Sequence, residues 1–362
     1  ISKKILGGIP MTLKEIAKQA GVSISTVSRV INQKNTKAAS PEVQNRIWEI
    51  VRANGYIPNS SARDLKMGVS PSQAAKRPKT VACLFARSAT TSTDLFFTEI
   101  ARAIEQEAFK HNYFLKHSFT GLDLADPAVA ARLGDIPVDG AAILGRYDQK
   151  ILRFFSEHYK YVVYVGLNPI GSQYDQVVCE GAQVAKAAVS YLHSLGHTRI
   201  GYIGEVENEI RYTGFGEALK SLGLPFSHKH VANVKVSLEG GYRGANLLMD
   251  TGVDITAVFC ANDNTALGAV RAFQERGYKI PQDVSVIGVD DIETVQYISP
   301  MLTTVHIPLE EMGHLSAKIL IDRIEGGHRL PIKVVLPFYI AKRDSCAPPS
   351  MHRRAFTQQN DV

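Results

Sequence analysis

The chain is poor in the residues that would mark many chemistries. It holds four cysteines, Cys83, Cys179, Cys260 and Cys346, far apart and with no C-x-x-C pair. That spacing excludes a zinc knuckle and a disulfide framework, and it predicts thiols buried as small hydrophobes in a reducing compartment. No run of 18 apolar residues occurs, and no basic leader precedes an apolar core and a cleavage site, so the expectation is a soluble, cytoplasmic protein. Neither G-x-x-x-x-G-K-S/T nor G-x-G-x-x-G follows a strand-like run, which removes the usual cradles of nucleotide cofactors. The hydrolase patterns H-E-x-x-H and G-x-S-x-G are missing too. Histidines such as His193 and His197 read as polar tips near helix ends rather than as bases. The sequence therefore predicts no enzyme, no catalytic residue, no metal and no cofactor.

Acids are scarce in one region only. Residues 1–79 carry 14 Lys/Arg against 4 Asp/Glu, net +10, while the rest carries 27 against 31, net −4. A basic head on a mildly acidic body is the footprint of a chain that holds a polyanion at one end. A merely solvated basic tail would lack the periodic apolar positions found there, and the only tryptophan of the chain.

The organising stretch is TLKEIAKQAGVSISTVSRVIN, residues 12–32. Thr12 and Glu15 form a T-x-x-E capping box, and Leu13, Ile16, Ala17 and Ala20 give one apolar stripe at helical spacing. Gly21 ends that helix and Ser23 caps a second, whose Val27, Val30 and Ile31 face inward. Ile24, Ser25, Thr26, Ser28, Arg29 and Asn32 are left outside, a face of hydroxyls, an amide and an arginine suited to base edges and phosphates. An ordinary helical hairpin with a solvated face fits these 21 residues as well. Ser40-Pro41-Glu42 starts a third helix with Val43, Ile47, Ile50 and Val51 on its apolar side, stopped at Gly55. The headpiece spans residues 11–58. Residues 1–10 are read as an added remnant ahead of Met11.

NSSARDLKMG, residues 59–68, predicts a helix too short to hold by itself in water, so it either folds against a partner or stays a linker. Residues 69–79, rich in Pro, Ser and Lys, mark a boundary. From Thr80, apolar runs (TVACLF, GAAIL, YVVYV, RIGYI, AVFCA, DVSVIGV) alternate with helical periodicity such as FFTEIARAIEQEAFKHN and AKAAVSYLHSLG. That rhythm predicts doubly wound parallel sheets, and the length suggests two lobes with a cleft between them. Ligands of such sheets bind beyond the carboxyl ends of strands, which singles out Arg87, Ser88, Asn168, Asn262, Asp263, Asp290 and Asp291. Of the last two, adjacent on a strand end, one is expected to face the cleft and the other to bond backbone. Asn, Asp and Arg groups with aromatics nearby suit a polyhydroxyl ligand.

Taken together, the opening 21 residues, GYIPNSSARDL, SLGHTRIGYIG, RYTGFGEAL, FCANDNTALGAVRAFQERGYKIPQDVSVIGVDD and SPMLTTV resemble the lactose-repressor/galactose-repressor (LacI/GalR) family over residues 12–345. The resemblance implies an all-α helix-turn-helix headpiece plus an α/β periplasmic-binding-protein-like effector domain. It also implies a homodimer on a pseudo-palindromic operator, with bases chosen by Ile24 and Ser25, and Thr12, Ser23, Thr26, Ser28, Arg29 and Asn32 alongside. ARDL matches the hinge helix, with Leu65 as minor-groove wedge, Ala62 beside it, and Tyr56 and Asn59 steadying it. Arg211, Asn262 and Asp290 stand at effector-gripping positions, and Phe96 or Phe97 where an aromatic covers a ring. The implied effector domain is 80–345, with the N-lobe at about 80–178 and 305–330, the C-lobe at about 179–304 and 331–345, and a tail at 346–362.

Two departures stand out. Glu180 and Gly181 occupy positions near the first crossover where the family often has Asp-Asn, and the segment before GAAILGR is short. The function implied is a repressor of carbohydrate-utilisation genes controlled by a sugar or sugar derivative. The alternatives are a purine- or other metabolite-responsive corepressor type, and a solute-binding protein, which would share the body without the basic head.

Overall fold

A capping box begins the first helix, as the sequence predicts. The computed structural model describes residues 12–31, 39–53, 78–86, 95–119, 137–145, 149–168, 170–171, 173–351, 354 and 356. Helix α1, Leu13–Ala20, starts where Glu15 Oε2 accepts the Thr12 N–H at 2.7 Å, and it stops at Gly21 in the left-handed region, φ 69°. Helix α2, Ile24–Ile31, is capped by Ser23, whose Oγ accepts the Thr26 N–H at 3.1 Å. Helix α3, Pro41–Ala53, completes the group. Their apolar stripes meet in one small core of Ile16, Ala17, Ala20, Val27, Val30, Ile31, Ile47 and Val51. Alanines at the crossing let backbones approach closely enough for so few residues to exclude water.

The chain divides into two compact units, Ile1–Arg77 and Pro78–Val362. The second opens with β1, Lys79–Ala86, α4, Leu95–Lys110, β2, Tyr113–Phe119, and β3, Gly140–Gly145. It continues with α5, Gln149–His158, β4, Val162–Gly166, β5, Asp175–Val178, and α6, Gly181–Ser194. Then come β6, Ile200–Gly204, α7, Ile210–Ser221, β7, Val231–Asn233, α8, Leu238–Asp250, β8, Ala257–Cys260, α9, Asp263–Glu275, and β9, Ser285–Asp290. The last elements are β10, Thr303–His306, α10, Leu309–Glu325, β11, Lys333–Val335, and β12, Tyr339–Ala341.

These strands form two sheets of order β11-β5-β4-β3-β1-β2 and β12-β10-β9-β8-β6-β7. Every pairing is parallel except β10 with β12. Central strands such as β3, β4 and β9 are buried along their whole length, which is why the sequence shows them as unbroken apolar runs.

The chain crosses between the sheets three times: from β5 to α6, from β10 to α10, and from β11 to β12. The last crossing departs from the sequence expectation. Lys333–Val335 pairs with β5 in the first sheet, so the N-lobe extends past residue 330 and the return lies at 336–338 rather than at 331. The second crossing follows His306, because Thr303–His306 pairs with β9 in the second sheet.

Histidine and cysteine fall partly outside expectation. His197 is not a polar tip: it is buried, within hydrogen-bond distance of Thr256 Oγ1 at 2.8 Å and the Ala347 carbonyl at 2.9 Å, tying the end of the chain to the second sheet. Cys83, Cys179 and Cys260 are buried as expected, and Cys346 is only half-buried, donating to the Val286 carbonyl at 3.2 Å.

A buried ion pair fastens α10 to the first sheet. Arg323 Nε and Nη2 donate to the two oxygens of Asp175 at 2.8 Å each, and the Ile332 N–H donates to the same carboxylate at 2.7 Å. Burial alone would raise the Asp175 pKa, but Arg323, the Ile332 amide and His328 outweigh it and hold the carboxyl below its ordinary value. Asp175→Ala leaves the Arg323 charge unpaired in a nearly closed site and is expected to cost about 3–5 kcal/mol, read by chemical denaturation of the second unit's transition.

Candidate functional site

Two groups of sequence-assigned residues can be placed. On the headpiece, Ile24 is 47% exposed although its neighbours in the repeat face the core. Ser25 and Arg29 are exposed, and Thr26 and Ser28 are half-buried. The Ser23 hydroxyl lies 2.7 Å from that of Ser25 and 2.8 Å from that of Thr26, and Arg29 Nε donates to the Ser25 carbonyl at 3.3 Å. Thr12 and Ser23 are both engaged as caps, with the Thr12 hydroxyl donating to Glu15 Oε2 at 2.8 Å. Hydroxyls thus line the amino-terminal turn of α2, with one guanidinium a turn further on. Asn32, Tyr56, Asn59, Ala62 and Leu65 lie outside the described residues, as do Arg87 and Ser88.

In the second unit the carboxyl ends of three neighbouring strands, β6, β8 and β9, point the same way. Beyond β6, α7 begins at Glu209, whose Oε1 accepts the Arg211 backbone N–H at 3.0 Å. The same carboxylate takes Arg211 Nε at 2.7 Å and Nη2 at 2.9 Å, a two-pronged pair with side chains only 9% and 1% exposed. Burial works against the arginine's charge, but Glu209, and behind it Asp290, hold the guanidinium above its ordinary range. Sequence reasoning missed Glu209. The available signal was an acid two positions ahead of the assigned arginine, at a helix start.

Beyond β8, Asn262 caps α9: its Oδ1 accepts the Thr265 N–H at 2.9 Å and the Thr265 hydroxyl at 2.8 Å. Only its Nδ2 is left over from the cap. Beyond β9, Asp290 and Asp291 are consecutive non-glycine residues in the left-handed region, φ 117° and 61°. Such a pair is strained and needs fixing from both sides. Asp263 does so from α9, with Oδ2 accepting the Ile292 N–H at 3.0 Å and Oδ1 the Thr304 hydroxyl at 2.6 Å. Gly288 makes room for it, since a Cβ there would stand 2.1 Å from Asp263 Oδ1.

Asp291 is held by side chains. It accepts from Arg343 Nη2 at 2.5 Å and lies 3.0 Å from His306 Nδ1; His306 ends β10 ahead of the second crossing, and Arg343 follows β12 after the third. The chain needed to bring Arg343 there is 52 residues long, beyond any local pattern.

The cross-over side is equally close. Asn168, half-buried, follows Leu167 beyond β4. A Cβ on Gly181 would lie 2.6 Å from Ile210 Cγ2 and 3.2 Å from Leu167 Cβ, which places the Asn168 loop against the start of α7 and explains why glycine stands at this departure. Cys179, next to it, is pushed up to about 12 by burial and then by the Asp290 charge. Of the two aromatics, Phe96 is built into the hydrophobic core, whereas Phe97 is half-buried and packs edge-on against Phe85, ring centroids 5.9 Å apart. Arg211, Asn262 and Asp290 therefore stand beyond the carboxyl ends of the neighbouring strands β6, β8 and β9, and the loop that carries Asn168, from the other sheet, comes against the start of α7. Phe96 is not available as a covering ring.

Residues 12–59 match the model described as bacterial regulatory proteins, lacI family, and residues 189–346 match a periplasmic binding protein-like domain. The chain is 32% identical over 322 residues to the HTH-type transcriptional repressor PurR of Photorhabdus laumondii, covering 86% of this chain and 90% of that protein. Among solved structures it is similar to the transcriptional regulator CelR in complex with cellobiose (TM-score 0.68, 26% identity, 92% of this chain and 99% of that one). It is also similar to a LacI family transcriptional regulator from Enterococcus faecium with bound ribose (TM-score 0.65, 30% identity, 75% of this chain and all of that one).

Asp263 makes a pH test available. Burial pushes its carboxyl from an ordinary 3.8 up to about 7, against the donors that favour the ionised form. A raised acid contributes stability that is complete below its unfolded pKa and is lost as pH rises through the folded one. The melting temperature of the wild type relative to Asp263→Asn is therefore expected to fall between pH 3.8 and about 7, and a constant offset would contradict this.

Proposed function

We propose, for a chain that belongs to the LacI family of bacterial regulatory proteins and is a DNA-binding transcriptional repressor, that a sugar or sugar derivative held between the two lobes governs its grip on the operator. The observation that carries this reading is the placement of Arg211, Asn262 and Asp290 just past the carboxyl ends of three neighbouring strands, with Asp290 near enough to act on the Arg211 guanidinium. Planar groups of this kind engage neighbouring hydroxyls in pairs, and an apolar ring covers the CH face of a pyranose or furanose. Asn168 and Phe97 complete the set. The cellobiose and ribose complexes of similar proteins support a sugar.

On this reading the protein has no enzymatic step, works in the cytoplasm and acts as a homodimer on a pseudo-palindromic site. Ile24, Ser25, Thr26, Ser28, Arg29 and Asn32 face the major groove, with Thr12 and Ser23 at the phosphates. Leu65 enters the minor groove with Ala62 beside it, and Tyr56 and Asn59 steady the segment. A ligand that alters the angle between the lobes changes how two such segments meet. Coupling of about 1–3 kcal/mol corresponds to a roughly 5- to 150-fold change in operator affinity.

A second reading, a purine acting as corepressor, is favoured by the similarity to repressors named PurR. The deciding experiment selects an operator from random duplexes with the full chain, then measures its affinity with ribose, cellobiose, hypoxanthine and guanine added in turn. A response to a sugar supports the first reading and a response to a purine alone replaces it.

Three variants test the parts. Arg29→Ala is expected to lose about 1–3 kcal/mol of operator affinity and to relax base preference at one position of each half-site. Leu65→Ala is expected to weaken specific binding by about a few kcal/mol and to leave nonspecific, salt-dependent binding in place, whereas equal losses would remove its wedge role. Asp290→Ala is expected to abolish the ligand response with operator affinity intact, as read by fluorescence anisotropy.

A further inference from the structure

We propose that Glu209 sets the charge of the ligand: by holding the Arg211 guanidinium it reserves the cleft for uncharged polyhydroxyl molecules and bars phosphorylated or carboxylated ones. The proposal rests on the sugar reading and deepens it.

An arginine in a closed site is ordinarily the feature that welcomes an anion, because its fork matches carboxylate and phosphate geometry. Here that fork is already engaged. Nε and Nη2 both donate to Glu209, at 2.7 and 2.9 Å, and the pair is almost fully shielded from water. The same carboxylate also caps α7 through the Arg211 N–H, so it cannot swing away without uncovering a helix terminus. What Arg211 offers a ligand is its outer edge, a donor for a hydroxyl.

The surrounding charges push in the same direction. Asp290 lies close enough to act on Arg211 and on Cys179, so the formal sum of Glu209, Arg211 and Asp290 is one negative charge. Asp291 is matched by Arg343 and His306, and Glu180 at the first crossover is matched by Lys333 at 3.2 Å. Glu205, beyond β6, adds a further carboxylate, its Oε1 accepting the Val236 N–H at 3.3 Å. Among the described residues directly beyond β6, β8 and β9, the cation is Arg211, and it is already paired with Glu209. A phosphate brought beside Asp290 in a water-poor cleft meets repulsion that solvent does little to screen.

Discrimination of this kind works by an unpaired charge placed against the wrong ligand. Glu209→Gln keeps an oxygen that accepts from the Arg211 backbone and guanidinium, but it removes the charge that neutralises the fork.

The test titrates the full chain by calorimetry with ribose, ribose 5-phosphate, glucose, glucose 6-phosphate and gluconate, in wild type and in Glu209→Gln. The wild type is expected to bind at least one uncharged sugar and to bind its phosphorylated counterpart about a hundredfold more weakly or not at all. Glu209→Gln is expected to narrow that ratio by about tenfold, equivalent to about 1.4 kcal/mol. A purely structural role for Glu209 would weaken both ligands alike and leave the ratio unchanged. That result, or a wild type that binds the phosphorylated sugar as well as its parent, overturns the proposal. Should Glu209→Gln fail to fold, the wild-type ratio decides the matter alone. If none of these sugars binds while hypoxanthine does, the sugar reading fails and the proposal with it. An affinity for uncharged sugars with no charge discrimination leaves the sugar reading standing and removes only the role of Glu209.

Discussion

Taking charges out of water at the carboxyl ends of one sheet is the constraint on which the second unit depends. Glu209, Arg211, Asp263 and Asp290 are each less than a tenth exposed. An isolated ion there would be costly, so every one of them needs compensation, and the compensation dictates local structure. Arg211 needs Glu209 at the cap, and Asp263 needs the Ile292 amide and the Thr304 hydroxyl. The second requirement in turn fixes the strained turn at Asp290 and Asp291 and forbids any side chain at position 288.

The polar face therefore follows from the same rule that builds the sheets. Parallel strands deliver their carboxyl ends to one side, helices begin there, and caps such as Ser237, Asn262 and Glu209 are placed by that geometry. The headpiece illustrates the opposite economy. Its core of eight small and medium residues is sufficient because two sharp caps and a left-handed glycine set the helix ends before packing begins.

Much of this was legible from residues. Capping boxes and apolar runs are local signals, so α1, α2, α3 and the central strands were placed from pattern alone. Arg211 is singled out by resemblance, and Asn262 and Asp290 both by resemblance and by their position past strand ends. What escaped was non-local or weakly patterned. Lys333–Val335 is a three-residue strand with alternate residues exposed, so its pairing with β5 leaves little trace in composition. Arg343, past β12, reaches Asp291, past β9, across the intervening β10, and nothing near either residue in the sequence announces the other. Glu209 was overlooked because residues two apart on a helix face away from each other. It can reach Arg211 only because it sits at the cap, where its own backbone is extended, φ −110° and ψ 105°. Phe96 and Phe97 could not be told apart, since both suit the face of a helix laid over a sheet.

The three bridging segments have a mechanical meaning. All leave or enter through β5, β11, β10 and β12, which lie together at one margin of each sheet. In any rotation of one lobe about that margin, the displacement of a strand grows with its distance from it. Strand β1, the first element after the boundary with the preceding unit, is four places from β11, about 19 Å at the usual spacing of roughly 4.8 Å. A rotation of about 10° displaces it by roughly 3 Å, whereas groups near the pivot shift far less. On the proposed reading, small rearrangements around a bound molecule would thus be magnified where the polypeptide leaves for its basic end.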